Sequence, residues 1–590
     1  TGREYNDGTR NTFAYDQVGG RVLMYDGTGR TSMILDPLER PQAVIQPSSQ
    51  RVTYGYSPIG QRIRLVTPDG GLFTYSWDAA SRIEKLVNPV NEITTFAFDQ
   101  GNREIVDYLA NGTRASMTYD LAGQITKLAN ITNTSTTLTS FGYLYDGMGN
   151  RQRVVEASLD RVSWAYDHTY QLVHEARSGT NAYNITHTWD PVGNRLVQNV
   201  GGTRTTVTYD KANEIIYSLD GAGRTTFLFD GAGNQVRTVS PALARTTYLW
   251  DGENRLAKVA LPTSVINTMT YNADSLRVQK QDSTGTTKSI WDGQNILLDA
   301  NASNVTQSLY SLNPNFFGNL LSQSRAGTSS FFQFDALGST AALASSLGSL
   351  TDTYHYKAFG EAVDGSGSTV NPFRFVGQCG YLFDGDLLQH YLRARQYSSS
   401  IARFMSHDPL RNPWQVNSYR YCGSRPIGVI DPSGLQTMSG VLNGVKCFVC
   451  AFASADAVSC ICWFMGIADL LPGLPNWFDL IECLGCNALG AIAEACQGNA
   501  FNVGAQLSSI IFDCLLSYIS SAAWLDALTA GAALGTGPLG TAAFLGWLIV
   551  QTMELVLFLF QQNHLDPSGM EACSKLPWGG GGGAAGCGCG

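Results

Sequence analysis

The feature that most constrains this chain is a repeated aromatic–Asp pair. It occurs at Tyr25-Asp26, Trp77-Asp78, Phe98-Asp99, Tyr119-Asp120, Tyr145-Asp146, Tyr166-Asp167, Trp189-Asp190, Tyr209-Asp210, Phe229-Asp230, Trp250-Asp251 and Trp291-Asp292, with Tyr271-Asn272 as a variant. From position 77 the steps are 21, 21, 26, 21, 23, 20, 20, 21, 21 and 20. Each aromatic residue ends a short alternating run such as Thr205-Thr-Val-Thr-Tyr209, the pattern of a strand with one face inside and one in solvent. Turn phrases follow, as in Asp146-Gly-Met-Gly-Asn150 and Asp230-Gly-Ala-Gly-Asn234. Their Gly and Asn residues are expected to supply the positive φ angles of tight hairpins. A unit of about 20 residues is therefore a strand, a turn and a returning strand, and stacked units make a long antiparallel sheet. In each pair the ring is expected to pack between hairpins while the carboxylate accepts turn N–H groups.

These phrases, with Tyr145-Asp-Gly-Met-Gly-Asn-Arg151 as the clearest, resemble the YD repeats of RHS proteins, toxin-complex C subunits and teneurins. Further phrases arrive in the order of the RHS repeat-associated core. They are Phe334-Asp-Ala-Leu-Gly-Ser-Thr340, Tyr354-His-Tyr-Lys-Ala-Phe-Gly-Glu361, Asn371-Pro-Phe-Arg-Phe-Val-Gly377, Tyr391-Leu-Arg-Ala-Arg-Gln-Tyr397, Ala402-Arg-Phe-Met-Ser-His-Asp-Pro409 and Arg425-Pro-Ile-Gly-Val-Ile-Asp-Pro-Ser-Gly-Leu435. The resemblance implies a mainly β protein, a spiral of antiparallel hairpins forming a hollow shell. It also implies a division into repeats over 1–330, a core over 331–435 and a variable segment over 436–590 held inside. Because residue 1 falls inside a repeat-like phrase, the chain reads as a fragment or processed form with no targeting signal of its own.

The resemblance also implies a chemistry. Two Asp-Pro pairs, Asp408-Pro409 and Asp431-Pro432, punctuate the core. Two close carboxylates can hydrolyse a peptide, because mutual repulsion keeps one protonated to polarise the carbonyl while the other activates water. Carried over from the family, Asp408 and Asp431 are the acid–base pair, Arg403 an orienting cation, and the bond cut is Leu435 to Gln436. Pro426, Pro432 and Gly434 complete the motif. The first pair departs from the family pattern, reading His407-Asp408-Pro409-Leu410-Arg411 where many members have Asp-Pro-Ile-Gly. The alternative is that both Asp-Pro pairs are simple turn starters, for which they are also well suited. Any enzymatic activity would then be a single self-cleavage by an aspartyl peptidase, with no cofactor.

The tail is a different polymer. From position 447 to 574 there is no Lys or Arg, yet there are ten Asp or Glu. The remainder has 39 basic and 38 acidic residues, so the net charge of −9 belongs to the tail. A segment without cations and with the single His564 argues against a nuclease and against nucleic acid as a partner. Nor is there the His-x-Glu and Pro-Cys-x-x-Cys pair of a zinc deaminase. Residues 505–560 are apolar and helix-compatible around the breaker Gly535-Thr-Gly-Pro-Leu-Gly540. They fit either a membrane-contacting hairpin or a buried hairpin of a small helical domain. Asp513, Asp526 and Glu554 weigh against the first. Eleven of thirteen Cys lie in the tail. Cys447, Cys450, Cys483 and Cys486 could bind zinc, join disulfides with Cys460, Cys462, Cys496 and Cys514, or serve as apolar packing.

Two functions are consistent with these features. One is a bacterial RHS-type delivery protein, secreted or at the cell surface, whose shell holds its own C-terminal effector, with a secretion-system or shell partner and an immunity protein. The other is a surface adhesion protein of YD repeats that is never cleaved and uses the tail as an anchor.

Overall fold

The computed structural model describes residues 2–5, 8–410 and 416–435, together with the backbone of 438–439. The helical, Cys-rich and membrane readings of 436–590, including Cys447, Cys450, Cys483 and Cys486, lie outside the described residues, as does Gln436. The described part is almost entirely β. Thirty-five strands form one sheet, from Gly2–Glu4 to Ala362–Ser366. Each strand pairs antiparallel with the next along the chain, and the sheet does not close. It runs through residue 330 without a break, inside the strand Thr328–Phe334, because Asp335 and Lys357 open further turns of the same kind.

In most units the aromatic–Asp pair makes the turn in the same way, whereas Asp26 and Asp292 pair with Gly29 and Asn295 across two-residue hairpins. Asp146 donates its N–H to Asn150 and accepts on its carbonyl from Gly149, at 2.9 and 3.1 Å. Its carboxylate takes the N–H groups of Met148 and Asn150 at 2.9 and 2.8 Å. Asp78, Asp190 and Asp230 repeat the arrangement. One residue per turn has positive φ, and it is the fourth of the phrase: Gly149 at +82° and Gly233 at +80°. Gly147, Gly231, Asn150 and Asn234 do not share it, so the expectation narrows from Gly and Asn generally to one position, which Ser81 and Tyr170 also occupy. This is a type I turn closed by a left-handed residue, and it forces a bulge beside the aromatic. The register slips between Leu144 and Tyr145, and likewise at Trp77, Phe98 and Trp250. The ring's polar atom then reaches the previous unit. Trp77 Nε1 donates to the Arg62 carbonyl at 2.9 Å, Tyr166 Oη to Arg151 at 2.7 Å and Trp250 Nε1 to Gln235 at 2.8 Å.

The sheet winds onto itself. Ala273 N donates to Asp26 at 2.6 Å, Gln46 to the Trp291 carbonyl at 2.9 Å, Asn130 to the Phe334 carbonyl at 3.0 Å and Ala336 N to Tyr143 Oη at 3.0 Å. These partners are 247, 245, 204 and 193 residues apart. Turns of the later winding thus rest on the earlier one, as the accumulated twist of a long sheet requires. Val52, Leu65, Phe73, Leu86 and Phe96 meet Ile290, Leu298, Leu321 and Phe331 in one apolar cluster. Each such side chain contributes roughly 1.5–3 kcal/mol.

One contact between windings carries a pH prediction. Glu175, 2% exposed, accepts from Ala358 N at 2.9 and 3.1 Å and from Tyr183 Oη at 2.8 Å. Burial raises its carboxyl from 4.5 to about 7 despite these donors. The folded state therefore keeps a proton that the unfolded chain releases, and stability falls as pH rises from 4.5 to about 7. The shift corresponds to about 3 kcal/mol. Glu175→Gln should flatten the denaturation midpoint over that interval. An unchanged slope would remove Glu175 as its source.

Candidate active site

A small four-stranded sheet follows the long one: Leu382–Asp384, Gln389–Leu392, Arg395–Ser398 and Arg403–Phe404. It is fastened to the repeats by buried polar contacts. Arg277 forks onto Asp384 at 2.7 and 3.0 Å, Arg195 reaches the Ser400 carbonyl at 3.0 Å and Tyr419 Oη donates to the Gly233 carbonyl at 2.8 Å. Arg151 donates to the Ile427 carbonyl at 3.1 Å, and Arg425 to Asn150 at 2.9 Å.

The tight turn between Leu392 and Arg395 receives the Asp431–Leu435 segment. Ala394 N donates to the Ser433 carbonyl at 3.0 Å. Gly434 sits at φ +73°, and a Cβ there would collide with the Leu392 carbonyl oxygen. Only glycine fits so close a backbone approach. Arg393 donates to the carbonyls of Pro432, Cys379 (3.1 Å) and Gln294 (2.8 Å). On the same side of the turn, Arg395 donates to the carbonyls of Gly434 and, at 2.9 Å, Ser418. After Leu435 the backbone returns, pairing Met438–Ser439 with Val429–Ile430.

Asp408 and Asp431 converge on Arg395. Its Nη2 lies 3.0 Å from Asp408 Oδ2 and 3.6 Å from Asp431 Oδ2, and the three side chains are 1–2% exposed. The other oxygen of each carboxylate holds its own loop. Asp408 Oδ1 accepts from Leu410 N at 2.9 Å. Asp431 Oδ1 accepts from Leu435 N at 3.1 Å and Ser433 Oγ at 3.2 Å, while Asp431 N donates to Tyr381 Oη at 2.7 Å. Burial lowers the Arg395 guanidinium, and the two carboxylates oppose that shift. Two acids and one cation thus share a water-poor site against the last amide before the 435–436 bond.

Arg403 stands elsewhere. Its guanidinium donates to Asn194 Oδ1 at 3.3 Å and the Asn213 carbonyl at 2.6 Å, and lies over the rings of Tyr209 and Tyr419. The strand Arg403–Phe404 turns it toward the repeat wall, so the cation at the acids is Arg395 rather than the expected Arg403. Pro426 and Pro432 are both buried, and the Pro432 carbonyl accepts from Arg393. Arg393 and Arg395 were present in the phrase Tyr391-Leu-Arg-Ala-Arg-Gln-Tyr397. Their signal is two cations at spacing two across a tight turn, otherwise flanked by residues that belong in a core.

Comparison with known proteins agrees with the repeat. The chain is 25% identical over 278 residues to the tRNA3(Ser)-specific nuclease WapA of Bacillus spizizenii, a match covering 46% of this chain and 12% of that protein. It is 32% identical over 115 residues to salivary gland surface protein 1 of Aedes aegypti, covering 19% of this chain and 3% of that one. It therefore spans a small part of the curated relatives it matches. A crystal structure of TcdB2-TccC3-Cdc42 aligns at 15% identity and a TM-score of 0.44, covering 74% of this chain and 28% of that chain. The Teneurin YD-shell family model matches residues 115–427, more than half of the 590. With its meander of aromatic–Asp hairpins, the chain belongs to the Teneurin YD-shell family.

Proposed function

We propose that this chain is an RHS-type delivery shell that cleaves itself once, after Leu435, freeing residues 436–590 as its cargo. The supporting observation is the convergence of Asp408 and Asp431, from two separate loops, on the buried guanidinium of Arg395. With one carboxyl protonated to polarise the Leu435 carbonyl and the other ionised to take a proton from water, hydroxide adds to that carbon. Breaking the C–N bond leaves a carboxyl on Leu435 and, after proton return, an amine on Gln436, so one water is consumed. Arg395 is a positioning residue. It holds both acids, and its bond to the Gly434 carbonyl fixes the peptide one residue before the cut.

The cargo's composition favours action at a membrane and argues against a nuclease, since no cation occurs from 447 to 574 to hold phosphate. The tRNA-nuclease activity in the WapA name belongs to that protein. The reading implies secretion or surface display, a shell or secretion partner and an immunity protein.

Purified protein should run as two denatured bands, the smaller carrying residues 436–590 and therefore roughly a quarter of the 63.8 kDa mass. Asp431→Asn should merge them. A single band from the unmutated chain would favour an uncleaved surface protein instead.

A further inference from the structure

The repeat has a fixed inner pair. Because the bulge at each Asp turn adds a residue, the first and fourth positions of the returning strand face the same way. Opposite Trp77, Tyr119 and Trp250 stand Ile83, Ile125 and Leu256. With their fourth-position partners Leu86, Leu128 and Val259, all six are buried. In the unit between the first two, Phe98 faces Glu104, and the pair is Glu104 and Asp107, 7% and 8% exposed. Two carboxylates therefore replace Ile and Leu in a row of core positions.

They line a cleft with Met117, Leu128, Phe332 and Phe334, closed on another side by Gln378 from the single turn Gly377–Cys379. Asp107 Oδ1 and Gln378 Oε1 are buried there with no hydrogen-bond partner. Asn130, also in the lining, has its amide hydrogens committed to Thr139 and the Phe334 carbonyl at 2.7 and 3.0 Å. Glu175 is the instructive contrast. It fills the fourth position of its own unit, as Asp107 does, and is also buried, but Ala358 N and Tyr183 Oη donate to it. A buried acid whose hydrogen-bonded neighbour is another carboxyl, Glu104, rather than such donors, is costly unless a counter-charge joins it.

We propose that Glu104, Asp107 and the amide oxygen of Gln378 form a binding site for one hard divalent cation of the calcium class. An all-oxygen set of two carboxylates and an amide suits such an ion and disfavours softer metals. The ligands come from the first winding and the Gly377–Cys379 turn, with the second winding lining the same cleft, so the ion ties three parts of the fold together. Burial and the Glu104 charge raise the Asp107 carboxyl well above its ordinary range. The inference is independent of self-cleavage.

The test is calcium titration of the full chain after chelation, at neutral pH. Heat of binding and the thermal midpoint should report one ion per chain, with a dissociation constant on the order of 0.1–1 mM. The comparison variant is Glu104→Ile with Asp107→Leu, which copies the neighbouring units. Its midpoint should be indifferent to calcium and to chelator, and Asp107→Asn should lose most of the response where the double variant fails to fold. If the unmutated chain ignores both calcium and chelator, the pair shares only a proton and the proposal falls. It falls equally if both variants respond to calcium as the unmutated chain does.

Discussion

Replacing Arg395 with Met is expected to abolish self-cleavage and to destabilise the core by about 3–5 kcal/mol, the usual consequence of stripping the partner from buried charge. The guanidinium lies within 3.0 and 3.6 Å of Asp408 and Asp431 while also donating to the carbonyls of Gly434 and Ser418. A fork of five N–H donors can do this, whereas an ammonium cannot span the same set. Arg395→Lys should therefore fold but cleave far more slowly. The stability part of the effect is read separately from a compensated variant, Arg395→Met with Asp408→Asn and Asp431→Asn. That protein should regain most of the lost denaturation midpoint and remain a single band. If Arg395→Met cleaves at the normal rate, Arg395 does not position the acids.

Much of the fold was legible because its governing rule is local. An Asp accepting two turn N–H groups, followed by one left-handed residue, recurs at fixed spacing, and the period alone delivers hairpins. The bulge beside each aromatic was not visible, and it changes which residues face inward. Read by simple alternation, Glu104 and Asp107 fall on opposite faces. With the added residue they share one, as Ile83 and Leu86 do. The winding was also beyond local reading, since pairs such as Asp26 with Ala273 depend on twist summed over many strands. At the candidate site the acids stood out through their Asp-Pro phrases, but the cation did not. Arg403 is nearer to Asp408 in sequence, yet its strand carries it to Asn194 and Asn213. Arg395 reaches the acids because the Leu392–Arg395 turn is clasped by Gly434. An arginine in a short strand would otherwise be placed in solvent.

The second large effect is expected at Asp384, which couples the small sheet to the repeats. Its carboxylate accepts from Arg277 at 2.7 and 3.0 Å, Lys280 at 3.2 Å and Gln396 at 3.0 Å. Burial alone would raise its pKa, but Arg277 and Lys280 more than offset that and hold the carboxyl well below the usual carboxylate range. A depressed folded pKa contributes stability that is present above the unfolded value of 3.8 and is lost as pH falls below it. Asp384→Asn should remove that acid-range dependence and lower stability by about 3–5 kcal/mol at neutral pH, because the Arg277 charge stays buried without its counter-ion. Lys280 retains Asp282 at 2.7 Å, so Arg277 bears the loss. Pairing Asp384→Leu with Arg277→Met should recover most of it. The consequence extends to the acids, because Leu382–Asp384 pairs with Gln389–Leu392, the strand leading into the turn that carries Arg393 and Arg395. Asp384→Asn should accordingly slow self-cleavage while the double variant restores it, read as the ratio of the two denatured bands. A single variant that cleaves normally despite its lower midpoint would show that the turn holds its shape without this anchor.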